Sequence, residues 1–220
     1  MLLLLGCVIS NSYAQDQDSD STDLINTGVS EQSGVILVFG DSISAAYGMD
    51  EKQGWVHLLS EKFKNEKAPY RLVNASVSGE TTGGGLVRLP KTLDIHQPDI
   101  VVVELGGNDG LRGYPISKIH DNLLELTRMA RASGARVLLV GMVLPPNYGQ
   151  RYTQAFEKVF TDIAAKENVQ ILPFLLDGIS TSRTLLQPDG IHPTAEAQPL
   201  LVDEIWPRLA PLLESYSETE

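Results

Sequence analysis

From residue 34 onward the chain alternates between short unbroken apolar runs and longer stretches whose apolar residues recur every three or four positions. The runs fall at 35–39, 70–75 (Tyr-Arg-Leu-Val-Asn-Ala), 99–104 (Asp-Ile-Val-Val-Val-Glu), 136–141 and 169–172. Runs of this length, rich in Val, Ile and Leu, predict strands buried on both faces. The helical stretches are 54–65, roughly 84–96, 116–133 and 150–167, with a last one over 194–214. In 116–133, Ile116, Ile119, Leu123, Leu126 and Ala130 fall on one helical face, and Ser133-Gly134 marks its end. Strands alternating with helices predict a parallel sheet covered on both sides: one three-layer α/β domain, with no internal repeat and no second domain. Ligands of such sheets bind beyond the carboxyl ends of the strands. Attention therefore goes to Gly40-Asp41-Ser42, Ser76-Val77-Ser78-Gly79, Leu105-Gly106-Gly107-Asn108-Asp109 and the segment from Met142 to Gly149.

The alternation does not begin at residue 1. MLLLLGCVIS is apolar but too short to span a membrane, and NSYAQDQDSD then turns abruptly polar. Ser12-Tyr13-Ala14 has small residues at the two positions an export peptidase reads, so 1–14 reads as a signal peptide cut after Ala14, although a charged n-region is missing. Leu4-Leu5-Gly6-Cys7 offers a second reading, a lipoprotein box with Cys7 lipidated; a frayed terminus is the reading without either signal. The first makes the protein periplasmic or secreted, the second lipid-anchored. Residues 15–33, rich in Asp, Ser, Gln and Thr, read as a disordered leader, which leaves 34–215 for the folded domain.

Composition mostly excludes. Cys7 is the single cysteine, so the domain has no disulfide, no thiol nucleophile and no Cys-based zinc site. Apolar residues at 42% and charged residues at 20% are ordinary for a globular chain. The net charge of −11, with no Lys/Arg cluster, excludes a nucleic-acid partner.

Acyl transfer by serine needs a hydroxyl, a base, a group orienting the base, and donors for the oxyanion. Ser42, at the expected junction of the first strand with a helix, is the hydroxyl candidate; alone, it reads equally as a helix N-cap. Of the four histidines, His57, His96 and His120 lie in predicted helices or at their ends and read as packing residues. His192 sits in QPDGIHPTAEAQ, where Asp189-Gly190 makes a turn and Pro193 can start the last helix. Asp189, three residues earlier, is close enough to fold back onto the imidazole; a capping Asp beside a surface His is the plainer reading. Gly79 offers a backbone N–H open to close approach, and Asn108 a side-chain amide that an oxyanion does not repel. Asp189 and His192 have too few companion His or carboxylate residues for a metal site, so neither metal nor cofactor is expected. The triple glycine Gly83-Gly84-Gly85 lacks the Lys and Ser/Thr of a phosphate-binding loop and reads as a loose helix start.

Gly40-Asp41-Ser42-Ile43-Ser44, Gly79, Gly106-Gly107-Asn108-Asp109 and Asp189-Gly190-Ile191-His192 resemble, in order and spacing, the four sequence blocks of the SGNH (GDSL-type) hydrolases. The resemblance runs from residue 35 to about 212. VNASVSGETT, VELGGNDGLRG, LPPNYGQRY and DGIHPTAEAQP narrow it to the bacterial periplasmic thioesterase I / protease I / lysophospholipase L1 (arylesterase) group. Ile43 departs from the Leu of the family's name without changing polar atoms. The resemblance implies a flavodoxin-like α/β/α sandwich with sheet order 2-1-3-4-5. It implies Ser42 as nucleophile, His192 as base and then acid, and Asp189 as orienting carboxylate. The oxyanion would be held by the Ser42 and Gly79 backbone N–H groups and the Asn108 amide.

Leu105, Leu111, Tyr114 and Leu144-Pro145-Pro146 follow strands three and four and are expected to border Ser42 as an apolar groove. Such a groove fits acyl esters and thioesters of short to medium chain, with a small-molecule ester as the partner and a monomer as the working form. The rivals are a carbohydrate O-acetyl esterase on the same scaffold, a non-catalytic ligand-binding module and a metal-assisted hydrolase.

Overall fold

The computed structural model describes residues 34–214. The signal-peptide and leader readings of 1–14 and 15–33, with Cys7, and the expected last domain residue, 215, lie outside the described residues. The five predicted strands form one parallel sheet of β1 (Gly34–Gly40), β2 (Tyr70–Asn74), β3 (Ile100–Glu104), β4 (Arg136–Val140) and β5 (Gln170–Leu172), in the order β2-β1-β3-β4-β5. This is the order and fold class expected. Strand pleating sorts the apolar runs into two cores. Leu37, Phe39, Val101, Val103, Val137 and Leu139 face one side of the sheet. They meet α2 (Thr82–His96), α4 (Ile116–Ala132) and α5 (Gln150–Glu167). Ile36, Val38, Ile100, Val102, Leu138 and Val140 face the other, against α1 (Trp55–Glu66) and α6 (Gln198–Glu214). A continuous apolar run is therefore what a strand covered on both faces requires.

Four details depart from the sequence reading, each for a local reason. No helix starts at Ser42. Residues 41–49 wind through turns, with Ala45 N–H donating to the Asp41 carbonyl and Tyr47 N–H to that of Ser42. Ala46 (φ 55°) and Gly48 (φ 77°) are left-handed and end any helix at once. Helix α2 begins at Thr82, because the Thr81 hydroxyl caps the Gly84 N–H (3.2 Å) and Asp109 holds both the N–H and the hydroxyl of Thr82 (2.8 and 2.6 Å). Gly85 in that helix is a packing residue, since a Cβ there would lie 2.7 Å from Leu105 Cδ1. A one-turn helix α3 (Gly107–Leu111) replaces the loop expected after β3. Pro193 does not start the last helix: it pairs in an antiparallel bridge with Leu186, and a 3-10 turn (Ala195–Ala197) precedes α6.

Candidate active site

The carboxyl ends of β1 and β3 deliver Asp41-Ser42 and Glu104 to one place, and α3 adds Asn108 beside them. The segment 185–194 comes in over the same sheet end. It is folded as a tight loop by Thr194 N–H to the Leu185 carbonyl (2.9 Å) and Gln187 N–H to the His192 carbonyl (2.7 Å). His192 Nε2 lies 2.8 Å from Ser42 Oγ, and His192 Nδ1 lies 2.7 Å from Asp189 Oδ2. With Nδ1–H donating to the carboxylate, Nε2 keeps its lone pair for the Ser42 hydroxyl proton. Asp189 Oδ1 accepts from the backbone N–H groups of Ile191 (2.9 Å) and His192 (3.1 Å), so both of its oxygens are engaged. Burial pushes the Asp189 carboxyl up, but the bonds from His192 and from these two N–H groups outweigh it and hold the group below the usual range. The carboxylate is thus ionised at neutral pH. Tyr47, half exposed, stacks on the imidazole with ring centroids 4.5 Å apart.

A buried polar layer lies behind Ser42. Glu104 is 1% exposed; its Oε2 accepts from Ser44 Oγ (2.7 Å) and from Asp41 N–H (3.3 Å). Asp41 is 3% exposed; its Oδ1 accepts from Ile43 N–H (3.1 Å) and its Oδ2 from Asn108 Nδ2 (3.1 Å). Burial raises Asp41 from 3.8 to about 6, against the pull of the Ile43 N–H and of His192. Burial, reinforced by the neighbouring Asp41 charge, raises Glu104 well above the ordinary glutamate value. An acid closing an otherwise apolar buried strand is a legible signal for Glu104, one that a serine–histidine pattern does not contain.

A cleft of about 430 Å³ opens at Ser42 and His192. Asn108, Leu111, Leu144, Pro145 and Pro146 line it, together with Ile43, Met142 and Val143. Its other wall, absent from the sequence reading, is the 174–191 segment, through Leu175, Leu176, Leu186 and Ile191 among others. Leu105 is placed elsewhere: it is fully buried in the core against α2. Tyr114 does not line the cleft either; it is 40% exposed, and its carbonyl accepts from Tyr152 Oη (2.7 Å). Gly79 sits at the exposed turn after β2 with φ 79° and open space where a Cβ would stand, its carbonyl accepting from Arg112 (3.3 Å). Of the other histidines, His120 pairs with its neighbour Asp121 (3.1 Å) at the surface, away from this site. Among the described residues, no three or more His, Cys, Asp or Glu side chains are placed to hold a metal ion.

Residues 38–199 match the model of the GDSL-like Lipase/Acylhydrolase family. The chain is 52% identical over 178 residues to Esterase TesA of Pseudomonas aeruginosa, covering 81% of this chain and 89% of that one. It is 40% identical over 178 residues to Thioesterase 1/protease 1/lysophospholipase L1 of Escherichia coli K12, with 81% and 84% covered. Among solved structures it is similar to the psychrotrophic esterase EstA from Pseudoalteromonas sp., inhibited by monoethylphosphonate. There the TM-score is 0.80 at 41% identity, over 82% of this chain and 99% of that one.

Proposed function

Since the chain belongs to the GDSL-like lipase/acylhydrolase family, we propose that it hydrolyses acyl esters and thioesters through Ser42, His192 and Asp189. The observation that carries this reading is the chain of hydrogen bonds Asp189–His192–Ser42 at the mouth of an apolar cleft. The hydroxyl proton of Ser42 passes to His192 Nε2 as Oγ attacks the acyl carbon, and Asp189 steadies the imidazolium that forms. The oxyanion is held by the backbone N–H groups of Ser42 and Gly79 and by Asn108. The Asn108 amide has two hydrogens; Asp41 takes one, which orients the group and leaves the other for the substrate oxygen. His192 then protonates the leaving alcohol or thiol. Water, deprotonated by the same imidazole, releases the acyl group from Ser42.

The apolar lining from Ile43, Leu111, Met142, Leu144, Leu175 and Leu186 fits an acyl chain, and tells against an acetylated sugar, which would need polar partners there. No cofactor takes part. Among the described residues, no helix is long and apolar enough to cross a membrane. Residues 1–14 carry the further proposal of export to the periplasm or beyond, or of anchoring through Cys7, and N-terminal sequencing of the mature protein distinguishes these. A monomer is proposed as the working form, and light scattering checks it.

The test is hydrolysis of a p-nitrophenyl ester series from C2 to C12 by wild type and Ser42→Ala. Turnover that disappears with Ser42, with a fluorophosphonate probe labelling Ser42 in the wild type, is the expected result. Equal turnover in Ser42→Ala would remove the serine mechanism.

A further inference from the structure

Ser42 and His192 stand 150 positions apart in the chain, and few bonds fix the distance between their loops. Among the described residues, two hydrogen bonds cross between 42–49 and 185–194: His192 Nε2 to Ser42 Oγ, and Gln187 Nε2 to the Tyr47 carbonyl at 2.8 Å. The first is broken and remade in each turnover as the proton moves, so it cannot maintain the spacing on which that transfer depends. The second is untouched by the chemistry.

Gln187 is built into both loops. Its amide nitrogen donates one hydrogen to the Tyr47 carbonyl and the other to the Pro193 carbonyl (3.0 Å), next to the base. Its backbone N–H donates to the His192 carbonyl, and its carbonyl accepts from Gly190 N–H (2.9 Å). On the far side, Tyr47 N–H donates to the Ser42 carbonyl (3.1 Å) and the Tyr47 ring lies on the imidazole. A continuous path thus runs from the nucleophile's own peptide through one primary amide to the residue after the base. The turn makes room for that amide: at Gly48 a Cβ would lie 2.5 Å from Gln187 Oε1. Two carbonyl oxygens converging on one point need a neutral nitrogen with two hydrogens, which a carboxamide supplies and a carboxylate does not.

We propose that Gln187 is a positioning residue that sets the Ser42–His192 spacing through the carbonyls of Tyr47 and Pro193, a role that rests on the serine-hydrolase reading above. Glutamate has the same shape but turns acceptors toward acceptors. Alanine lets water bond to both carbonyls. Positioning therefore predicts an order that packing does not: Gln187→Glu is slower than Gln187→Ala, whereas packing alone would leave the isosteric Glu near wild type.

The experiment compares p-nitrophenyl butyrate hydrolysis by wild type, Ser42→Ala, Gln187→Ala and Gln187→Glu, with thermal unfolding of each. The expected result is a kcat for Gln187→Glu lower by roughly 10- to 100-fold, the scale of a misplaced reacting group, with KM nearly unchanged and Gln187→Ala in between. A wild-type kcat in Gln187→Glu, or a loss carried by KM, overturns the role while the serine mechanism stands. Failure of wild type to turn over, or undiminished turnover in Ser42→Ala, overturns the reading beneath it. If Gln187→Glu does not fold, Gln187→Met keeps the side-chain length and removes both donors. A lowered kcat there supports the role, and a wild-type kcat overturns it.

Discussion

The two loops that meet at the candidate site are held in opposite ways. The Ser42 turn grows out of β1, a strand buried along its whole length, and is fastened by buried and half-buried side chains. Ser44 Oγ bonds Glu104 (2.7 Å), Asn74 Nδ2 bonds the Ser44 carbonyl (2.8 Å), and Gly40 N–H bonds Ser76 Oγ (3.1 Å). The His192 loop has no strand of the sheet behind it. It is folded by its own backbone bonds and by Asp189, whose side chain is 38% exposed. The nucleophile thus inherits its position from the global fold, whereas the base is placed by bonds within its own loop and by the one Gln187 link to the Tyr47 carbonyl, all of which water can compete for. Damage to the first is expected to register as lost stability, and damage to the second as lost rate in a protein that still folds.

The sharpest way to separate these is at the reacting atoms. His192→Ala and Ser42→Ala are each expected to lower kcat by roughly 10⁶-fold, as in triads whose members act as a unit, and to leave the melting temperature near that of wild type. A combined variant losing no more than either single one would confirm that they act together; additive losses would separate them. Next in size is the core beneath the nucleophile. Phe39 is fully buried in β1, under the guanidinium of Arg88 at 4.1 Å. Phe39→Ala is expected to cost about 3–5 kcal/mol in denaturant unfolding. Ile191→Ala, on the half-buried base loop, should cost under about 1.5 kcal/mol and be felt chiefly in KM for longer acyl chains. Equal stability losses at the two sites would erase the distinction between the loops.

Asn108 lies between the two cases, as a candidate donor set on α3 and oriented by a buried acid. Asn108→Ala is expected to reduce kcat by ~10²–10³-fold if its amide serves the oxyanion. Unchanged turnover in that variant would take Asn108 out of the role.

The same contrast explains what was legible in the sequence. The parallel sheet and its two covered faces could be anticipated because Val35 to Phe39 and Ile100 to Val103 are apolar without interruption, and only a doubly covered strand has use for that; the strand order followed from the family resemblance alone. Ser42, Asn108, Asp189 and His192 stood out because their residue types do not belong to packing. The wall formed by 174–191 was not legible, since Leu175, Leu186 and Ile191 obey neither helical nor strand periodicity and are brought to the cleft by loop geometry. The place of Leu105 after β3 predicts a groove residue, but it continues the pleat of Val101 and Val103 and lies with them in the core against α2. Proximity along the chain says which end of the sheet a residue occupies; the face it turns to follows the alternation of the strand.

The smallest expected effect concerns the acids behind Ser42, where the rigid loop carries a cost. Asp41 rises from 3.8 to about 6 chiefly through burial, and Glu104 rises well above its usual value for the same reason and through the Asp41 charge beside it. A folded-state value above the unfolded one means the native protein keeps protons that the unfolded chain has released. Stability therefore falls as pH rises, from near 4 to about 6 for Asp41 and above the ordinary glutamate range for Glu104. Glu104→Gln retains an oxygen for Ser44 and for Asp41 N–H while removing one buried charge. It should raise the melting temperature at pH 8 by more than at pH 5, the gap between variant and wild type widening steadily with pH. A gap that stays constant across that range would mean that Glu104 holds the Ser42 turn by geometry alone and that its ionisation costs the fold nothing.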